Sequence, residues 1–337
     1  MNQKTERIAG GILLIAGSCI GAGMLAMPVV TGLGGFIPSC ITLLIAWGFV
    51  TFTSLLLVEM YGSLGKNVHL LSMVEQVFGS KGRGICWLFY LALFYPLLVA
   101  YIAVSGQIFT QFLQDSLQLD CPVWLVNTAL VMLFGTFLYL GTRFSDFCNR
   151  VLMIGLIVTY CSTLSLLMTK IEAENLLRIH WHYVPRSLSV LILSFGFQNM
   201  IPSITDYLDG DIYSMRKAIF GGSLLALAIY FLWELSFIGV VPFVGSRGLL
   251  STYKQGKEIS FALQIPKIAI WAKGFSFFAI TTSFIAQTLT LMDFIKDGLA
   301  LPTTKKSRAF LTLITIVPSL VFSIIYPQIF YQALNFS

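Results

Sequence analysis

Two short stretches hold the residues best placed to do chemistry. "SCIGAGMLAMP" (Ser18–Pro28) and "SFGFQNMIPS" (Ser194–Ser203) each lie inside a long apolar run, and each sets glycine, then methionine, then proline within a few residues. Glycine and proline cost a helix interior about 1 and 3 kcal/mol relative to alanine, so each run is weakened at its middle. An interrupted helix exposes N–H and C=O groups that lipid cannot satisfy, which is tolerable only where they line a cavity or meet a ligand. Half-helix N-termini favour a carboxylate, whereas half-helix C-termini and unwound carbonyls favour a cation or an ammonium. An amino acid zwitterion carries both groups. One such break alone reads as readily as a packing kink; two at matching positions favour the ligand.

The elements that must position these stretches follow from composition. The chain has 337 residues, 57% of them apolar and 11% charged, with a mean hydropathy of +0.84. Soluble domains carry roughly 45–50% apolar and 25% charged residues, so this is a polytopic membrane protein. Runs long enough to cross about 30 Å of hydrocarbon occur near 8–30, 33–60, 84–113, 123–142, 149–169, 187–205, 217–242, 269–292 and 309–327. Each must be helical, because lipid offers the backbone no partner. The first run has no cleavage-site pattern after it and reads as a retained span. Residues 66–79, too short and too mixed to cross, read as a helix on the membrane surface. After Pro327 a further apolar stretch starts and stops at Ser337, so a tenth span is expected to be cut short.

Charge sets orientation. With the N-terminus inside, the cytoplasmic segments hold most of the 21 Lys and Arg, among them Lys4, Arg7, Lys81, Arg83, Arg216, Lys296, Lys305 and Arg308. The net charge of +6 is then an orientation signal and not a nucleic-acid footprint. The six cysteines are scattered without a C-x-x-C pair, and with three histidines they suggest no metal site and no cofactor.

The two breaks fall in the first and sixth spans, five spans apart, so they occupy equivalent places in two halves, 1–169 and 187–337. Because five is odd, the halves lie in opposite orientation, and paired Gly/Pro-interrupted spans at corresponding positions mark a transporter site. The expected fold is all-α, with two inverted five-helix halves, discontinuous spans one and six, and the second half lacking its last helix.

"RIAGGILLIAGSCIGAGMLAMP", "SFGFQNMIPSI", "DIYSMRKAIFGGSLLALAIYFLWELSFIGVVP" and "FSFFAITTSFIAQTLTLMDFIKDGL" resemble the hydroxy/aromatic amino acid permease family, in particular its tyrosine- and tryptophan-specific permeases. The resemblance covers residues 5–327. It implies a LeuT-type 5+5 fold, a bacterial cytoplasmic (inner) membrane location with the N-terminus cytoplasmic, and import of an aromatic amino acid by proton symport. No nucleic-acid partner and no enzymatic activity are expected.

On this reading the substrate carboxylate meets backbone N–H groups at Gly21, Ala22 and Gly23. The ammonium meets carbonyls near Ser18 and Cys19 together with Phe195 and Gly196. Gln198 and Asn199 either bind the substrate or hold the loosened backbone of their own helix. Phe195, Phe197, Tyr95 and Tyr101 are candidates to wall an aromatic ring by offset stacking. Glu234, the acid deepest in a span, is the candidate proton carrier, with a permanently neutral hydrogen-bonding acid as the alternative. Thr281, Thr282 and Ser283 supply oxygens that, with unwound carbonyls of span one at Gly17 and Ile20, suit Na⁺ in a LeuT-type site, with Ser18 as a further ion-coupling candidate, although hydroxyls commonly bond back to their own helix. A rival from another class is a membrane-embedded metal-dependent transferase using Asp206, Asp209 and Asp211 for a divalent ion and a diphosphate. A channel would need polar positions repeated along several helices, and these are absent.

Overall fold

A computed structural model describes residues 3–64, 70–140, 142–263, 265–302 and 304–326. In chain order the helices are α1 (Gln3–Cys19), α2 (Gly23–Thr31), α3 (Phe36–Leu64), α4 (Leu70–Leu117), α5 (Val123–Leu140), α6 (Thr142–Met168), α7 (Ala173–Leu176), α8 (Ser187–Ser194), α9 (Ile201–Tyr207), α10 (Ile212–Val240), α11 (Leu249–Lys254), α12 (Pro266–Gly298) and α13 (Lys305–Ile325). No strand occurs among the described residues. Among the described residues eight helical segments are long and apolar enough to span a membrane, and α1 with α2, bent by 60° at their junction, makes a ninth. The expected all-α, discontinuous architecture is what the chain adopts. Residues 66–69 of the expected surface helix and the run after Tyr326 lie outside the described residues; residues 70–78 are helical and end at Gly79, whose φ of 68° and ψ of −169° interrupt α4.

The breaks arise where the propensities predict. After Cys19, α1 stops, Ile20 to Ala22 are not helical, and α2 restarts at Gly23. After Ser194, α8 stops, Phe195 and Gly196 turn, a 3-10 turn runs from Phe197 to Met200, and α9 resumes with Pro202 near its start. Proline in the first helical turn forfeits no hydrogen bond, so Pro202 favours a restart there.

By contact the chain forms two units. One comprises Met1–Cys86 with Leu167–Tyr253, the other Trp87–Leu166 with Lys254–Ser337. Each draws helices from both halves of the sequence, so compactness follows a different division from the expected pairing of halves. In the first unit α1 packs along α10 through small residues. A Cβ added to Gly222 would stand 2.6 Å from the Ile15 Cβ and 2.9 Å from the Ile12 carbonyl oxygen, so only glycine admits this approach, the usual means by which helices pack in lipid. At the end carrying Lys4 and Arg7, Arg7 pairs with Asp209 and Lys4 Nζ lies 2.8 Å from Asp211 Oδ2. The hydrogen bond from Lys4, helped by one from the Ser214 hydroxyl, holds the Asp211 carboxyl down at about 2. These pairs fasten the start of α1 to the α9–α10 turn.

In the second unit the connection leading into α12 is held by a buried acid. Glu258, 2% exposed, accepts from the Ser260 backbone N–H at 2.9 Å, from the Ser260 hydroxyl, and from the Ser276 hydroxyl of α12 at 3.1 Å. Burial pushes its carboxyl from 4.5 to about 7, against the opposing pull of these donors and of Lys273. A folded-state value above the unfolded one means that the folded chain holds a proton the unfolded chain releases. The resulting stability is full below about pH 4.5 and is lost as pH rises through about 7. Thermal midpoints in detergent are therefore expected to fall between about pH 5 and pH 8, and Glu258→Gln, which cannot ionise, to flatten that decline; an unchanged slope in the variant would remove Glu258 from the account.

Candidate functional site

The site is built where the two breaks meet under one face of α10. In a helix, positions three and four apart share a face, and α10 presents Tyr230, Trp233, Glu234 and Phe237 this way. All four are buried to 1% exposure or less. The Tyr230 hydroxyl lies 2.6 Å from the carbonyl oxygen of Cys19, the last residue of α1, and 2.6 Å from that of Ser194, the last residue of α8. Both acceptors belong to the terminal carbonyls a helix leaves without an internal partner. One phenolic proton serves two helix ends, and the Phe195 ring packs on the same tyrosine with centroids 4.8 Å apart.

One turn further along α10, the Trp233 indole N–H donates to the Met24 carbonyl of α2 at 2.8 Å. Glu234 Oε2 lies 2.7 Å from the Thr31 hydroxyl, which also lies 2.7 Å from the Met27 carbonyl. The single Thr31 proton lies between these two acceptors, as the Tyr230 proton lies between its own. The other carboxyl oxygen, Oε1, is buried without a partner among the described residues. The geometry thus ties a buried acid to the far end of the broken span.

The breaks also touch directly. A Cβ on Gly23 would fall 2.5 Å from Ser194 Oγ and 3.0 Å from Ser194 Cα, so glycine at the restart of α2 lets it abut the end of α8. Gly21 and Ala22 are buried in the same junction. The N-terminus of α2, with its positive dipole end, and the C-termini of α1 and α8, with their negative ends, are therefore brought together. Phe195 and Phe197 are fully buried there.

Other expected residues are placed differently. Ser18 is exposed, and its hydroxyl donates back to the Ile15 carbonyl at 2.7 Å. Gln198 donates to Thr53 Oγ1 of α3 at 2.6 Å, a partner outside its own helix that neither sequence alternative named. Asn199 is half-buried beside it in the 3-10 turn. Tyr101, Thr281 and Thr282 belong to the second unit. There Tyr101 is buried, Thr282 donates within its own helix to the Phe278 carbonyl at 2.8 Å, and the Thr281 hydroxyl is buried without a partner among the described residues. Tyr95 donates to the Ile314 carbonyl of α13 at 2.9 Å. Asp209 and Asp211 are engaged by Arg7 and Lys4, and no cluster of metal-ligating side chains occurs among the described residues.

Sequence reasoning reached Glu234 but missed Tyr230, Trp233 and Thr31. The available signal was the spacing on α10, where two aromatic side chains with polar tips share a face with the buried acid.

Residues 4–337 match the family model described as the tryptophan/tyrosine permease family. The chain is 33% identical to Tyrosine-specific transport system 1 of Haemophilus influenzae over 98% of this chain and 84% of that protein. It is 28% identical to the Tryptophan-specific transport protein of the same organism over 100% of this chain and 84% of that one. Among solved structures it is similar to a Na⁺-coupled sialic acid symporter, with a TM-score of 0.54 at 9% identity over 98% of this chain and 82% of that one. A variant of the Eremococcus coleocola manganese transporter is also similar, with a TM-score of 0.51 at 16% identity over 97% and 73%. At such identities the likeness is one of fold, the LeuT type.

Tyr230→Phe keeps the ring and removes the donor, leaving both helix-end carbonyls without it. A buried polar group that loses its partner costs about 1–3 kcal/mol, so the variant is expected to unfold at a lower temperature in detergent. A midpoint equal to that of the unaltered chain would show that the hydroxyl does not hold the two ends.

Proposed function

The chain belongs to the tryptophan/tyrosine permease family, and from that premise we propose that it imports tyrosine or tryptophan across the bacterial cytoplasmic membrane by proton symport, with its N-terminus in the cytoplasm. It is a transporter and not an enzyme: the relatives it matches are transport proteins, and two of the three acids that a metal-dependent transferase would need are engaged by cations.

The observation that carries the reading is the meeting of the breaks. One helix N-terminus and two helix C-termini lie within one junction, and an amino acid backbone has the complementary charges. The substrate carboxylate is assigned to Gly21, Ala22 and Gly23 and the ammonium to the α8 end around Phe195 and Gly196, with Phe197, Gln198 and Asn199 beside them. These breaks fall at equivalent places in two opposed halves of the sequence, as alternating access requires. No Lys, Arg, Asp or Glu lies within either break, so the side chain that the junction admits is uncharged. Uptake of labelled tyrosine into proteoliposomes is expected to be inhibited by excess unlabelled tyrosine or tryptophan and untouched by lysine or glutamate; inhibition by lysine equal to that by tryptophan would defeat the aromatic assignment.

Glu234 supplies the coupling. Its carboxyl accepts from the Thr31 hydroxyl, at the end of the half-helix that begins with the proposed carboxylate site. A substrate that displaces α2 alters that hydrogen bond, and the protonation of Glu234 then follows the transport cycle. The buried hydroxyl of Thr281, without a partner among the described residues, supports sodium coupling as the second reading. With proton and sodium gradients imposed separately, Glu234→Gln is expected to abolish accumulation while retaining tyrosine-for-tyrosine exchange, and Thr281→Ala to be milder. Normal accumulation by Glu234→Gln, with loss of a sodium dependence in Thr281→Ala, would assign coupling to sodium.

A further inference from the structure

The second unit contains a cavity that the transport reading does not use. It lies where the end of α12, the start of α13 and the end of α5 come together, and its volume is about 320 Å³. Its mouth carries Lys296, Lys305 and Arg308, with the hydroxyls of Thr304 and Ser307 beside them. Its floor is apolar, formed by Leu138, Leu289, Met292 and Leu311. One carboxylate, Asp293, also lines it, which leaves a surplus of two positive charges.

Three features identify an occupant. First, none of the three cations is ion-paired among the described residues, whereas Lys4, Arg7, Arg83 and Arg216 are. Second, the cations stand over an apolar floor, so a ligand that satisfies the whole cavity is anionic at one end and hydrocarbon at the other. Third, the helix ends around it expose large apolar side chains, with Leu140 58%, Leu299 50%, Phe310 49% and Leu313 61% exposed. In a chain that crosses a bilayer, such surfaces meet lipid, and the cavity stands at the level where spanning helices end.

We propose that this cavity binds the phosphodiester headgroup of an anionic phospholipid, with Arg308 and the two lysines on the phosphate oxygens and an acyl chain over Leu289, Met292 and Leu311. The guanidinium fork matches phosphate geometry in two parallel hydrogen bonds, and the lysines add point charge. Basic pockets at the ends of membrane helices recognise anionic headgroups in this way. A free phosphate would satisfy the cations and leave the floor empty; a zwitterionic lipid would cover the floor and cancel the charge. The inference needs only that the chain sits in a bilayer, and it stands whether or not tyrosine is the cargo.

The test uses the purified full chain in mild detergent, with native mass spectrometry to count retained lipid and thermal unfolding to register stabilisation. The probes are dioleoylphosphatidylglycerol, dioleoylphosphatidylcholine and inorganic phosphate. Phosphatidylglycerol is expected to be retained about fivefold better than phosphatidylcholine and to raise the unfolding midpoint, with inorganic phosphate raising it little. Lys305→Gln, at an exposed position where folding is not at stake, should lower phosphatidylglycerol retention about fivefold, and Lys296→Gln with Lys305→Gln and Arg308→Gln together at least tenfold. Lys254→Gln with Lys257→Gln and Lys267→Gln, which remove the same charge from elsewhere in this unit, should leave it unchanged. Equal retention of the two lipids, undiminished retention by Lys305→Gln, or equal loss in the control set would overturn the proposal. Stabilisation by inorganic phosphate matching that by phosphatidylglycerol would also overturn it, showing a soluble-anion site instead.

Discussion

One phenolic hydroxyl, that of Tyr230, stands 2.6 Å from the terminal carbonyls of two different broken helices, and the arrangement of the first unit depends on it. Each carbonyl is the end of a helix dipole at membrane depth, where no lipid group can answer it. Two such ends repel one another, and an uncompensated pair would be driven apart or rewound. A donor placed between them converts the repulsion into a shared hydrogen-bond site. The junction of α1, α2 and α8 can then persist with its backbone partly unwound.

Tyr230 succeeds because α10 is itself unbroken. Over its 29 residues it carries a rigid ruler of polar tips spaced by the helical repeat. Tyr230 meets the ends of α1 and α8, Trp233 meets Met24 at the restart of α2, and Glu234 meets Thr31 at the end of α2. Three side chains on one face therefore register the whole broken span against one intact helix. The glycine contact at Gly222 brings α1 near enough for this to work, and the ion pairs of Lys4 and Arg7 fix its far end. The Glu234 carboxyl is part of the same registry, because it meets Thr31, whose hydroxyl also reaches the Met27 carbonyl. On the proposed proton coupling, a change in the protonation of that carboxyl would alter how the end of α2 is held, without a long path between the two events.

Electrostatics are handled differently away from that junction. Carboxylates such as Asp209 and Asp211 are matched by lysine and arginine, whereas the buried acids Glu234 and Glu258 meet hydroxyls, Glu258 with a backbone N–H besides. The three cations at the ends of α12 and α13 share their cavity with one carboxylate, Asp293, and are in no ion pair among the described residues; a bilayer headgroup is the chemistry that completes them.

The amino-acid sequence by itself determined the spanning helices and the places where they break. Lipid leaves the backbone no alternative to the helix, and Gly21, Gly23, Gly196 and Pro202 mark local losses of helix propensity that no distant contact is needed to explain. It also singled out Glu234, because a carboxylate within an apolar run is conspicuous whatever surrounds it. Tyr230 and Trp233 were not legible in the same way: among 13 tyrosines and six tryptophans nothing local separates a ring that fills space from one whose polar tip closes a helix end. Gln198 likewise acquired its partner, Thr53, from a helix some 145 positions away in sequence. The interleaving of the halves into two contact units was decided only by packing. Helix breaks are set by neighbours along the chain, whereas the donors that make a break tolerable come from wherever the fold brings them.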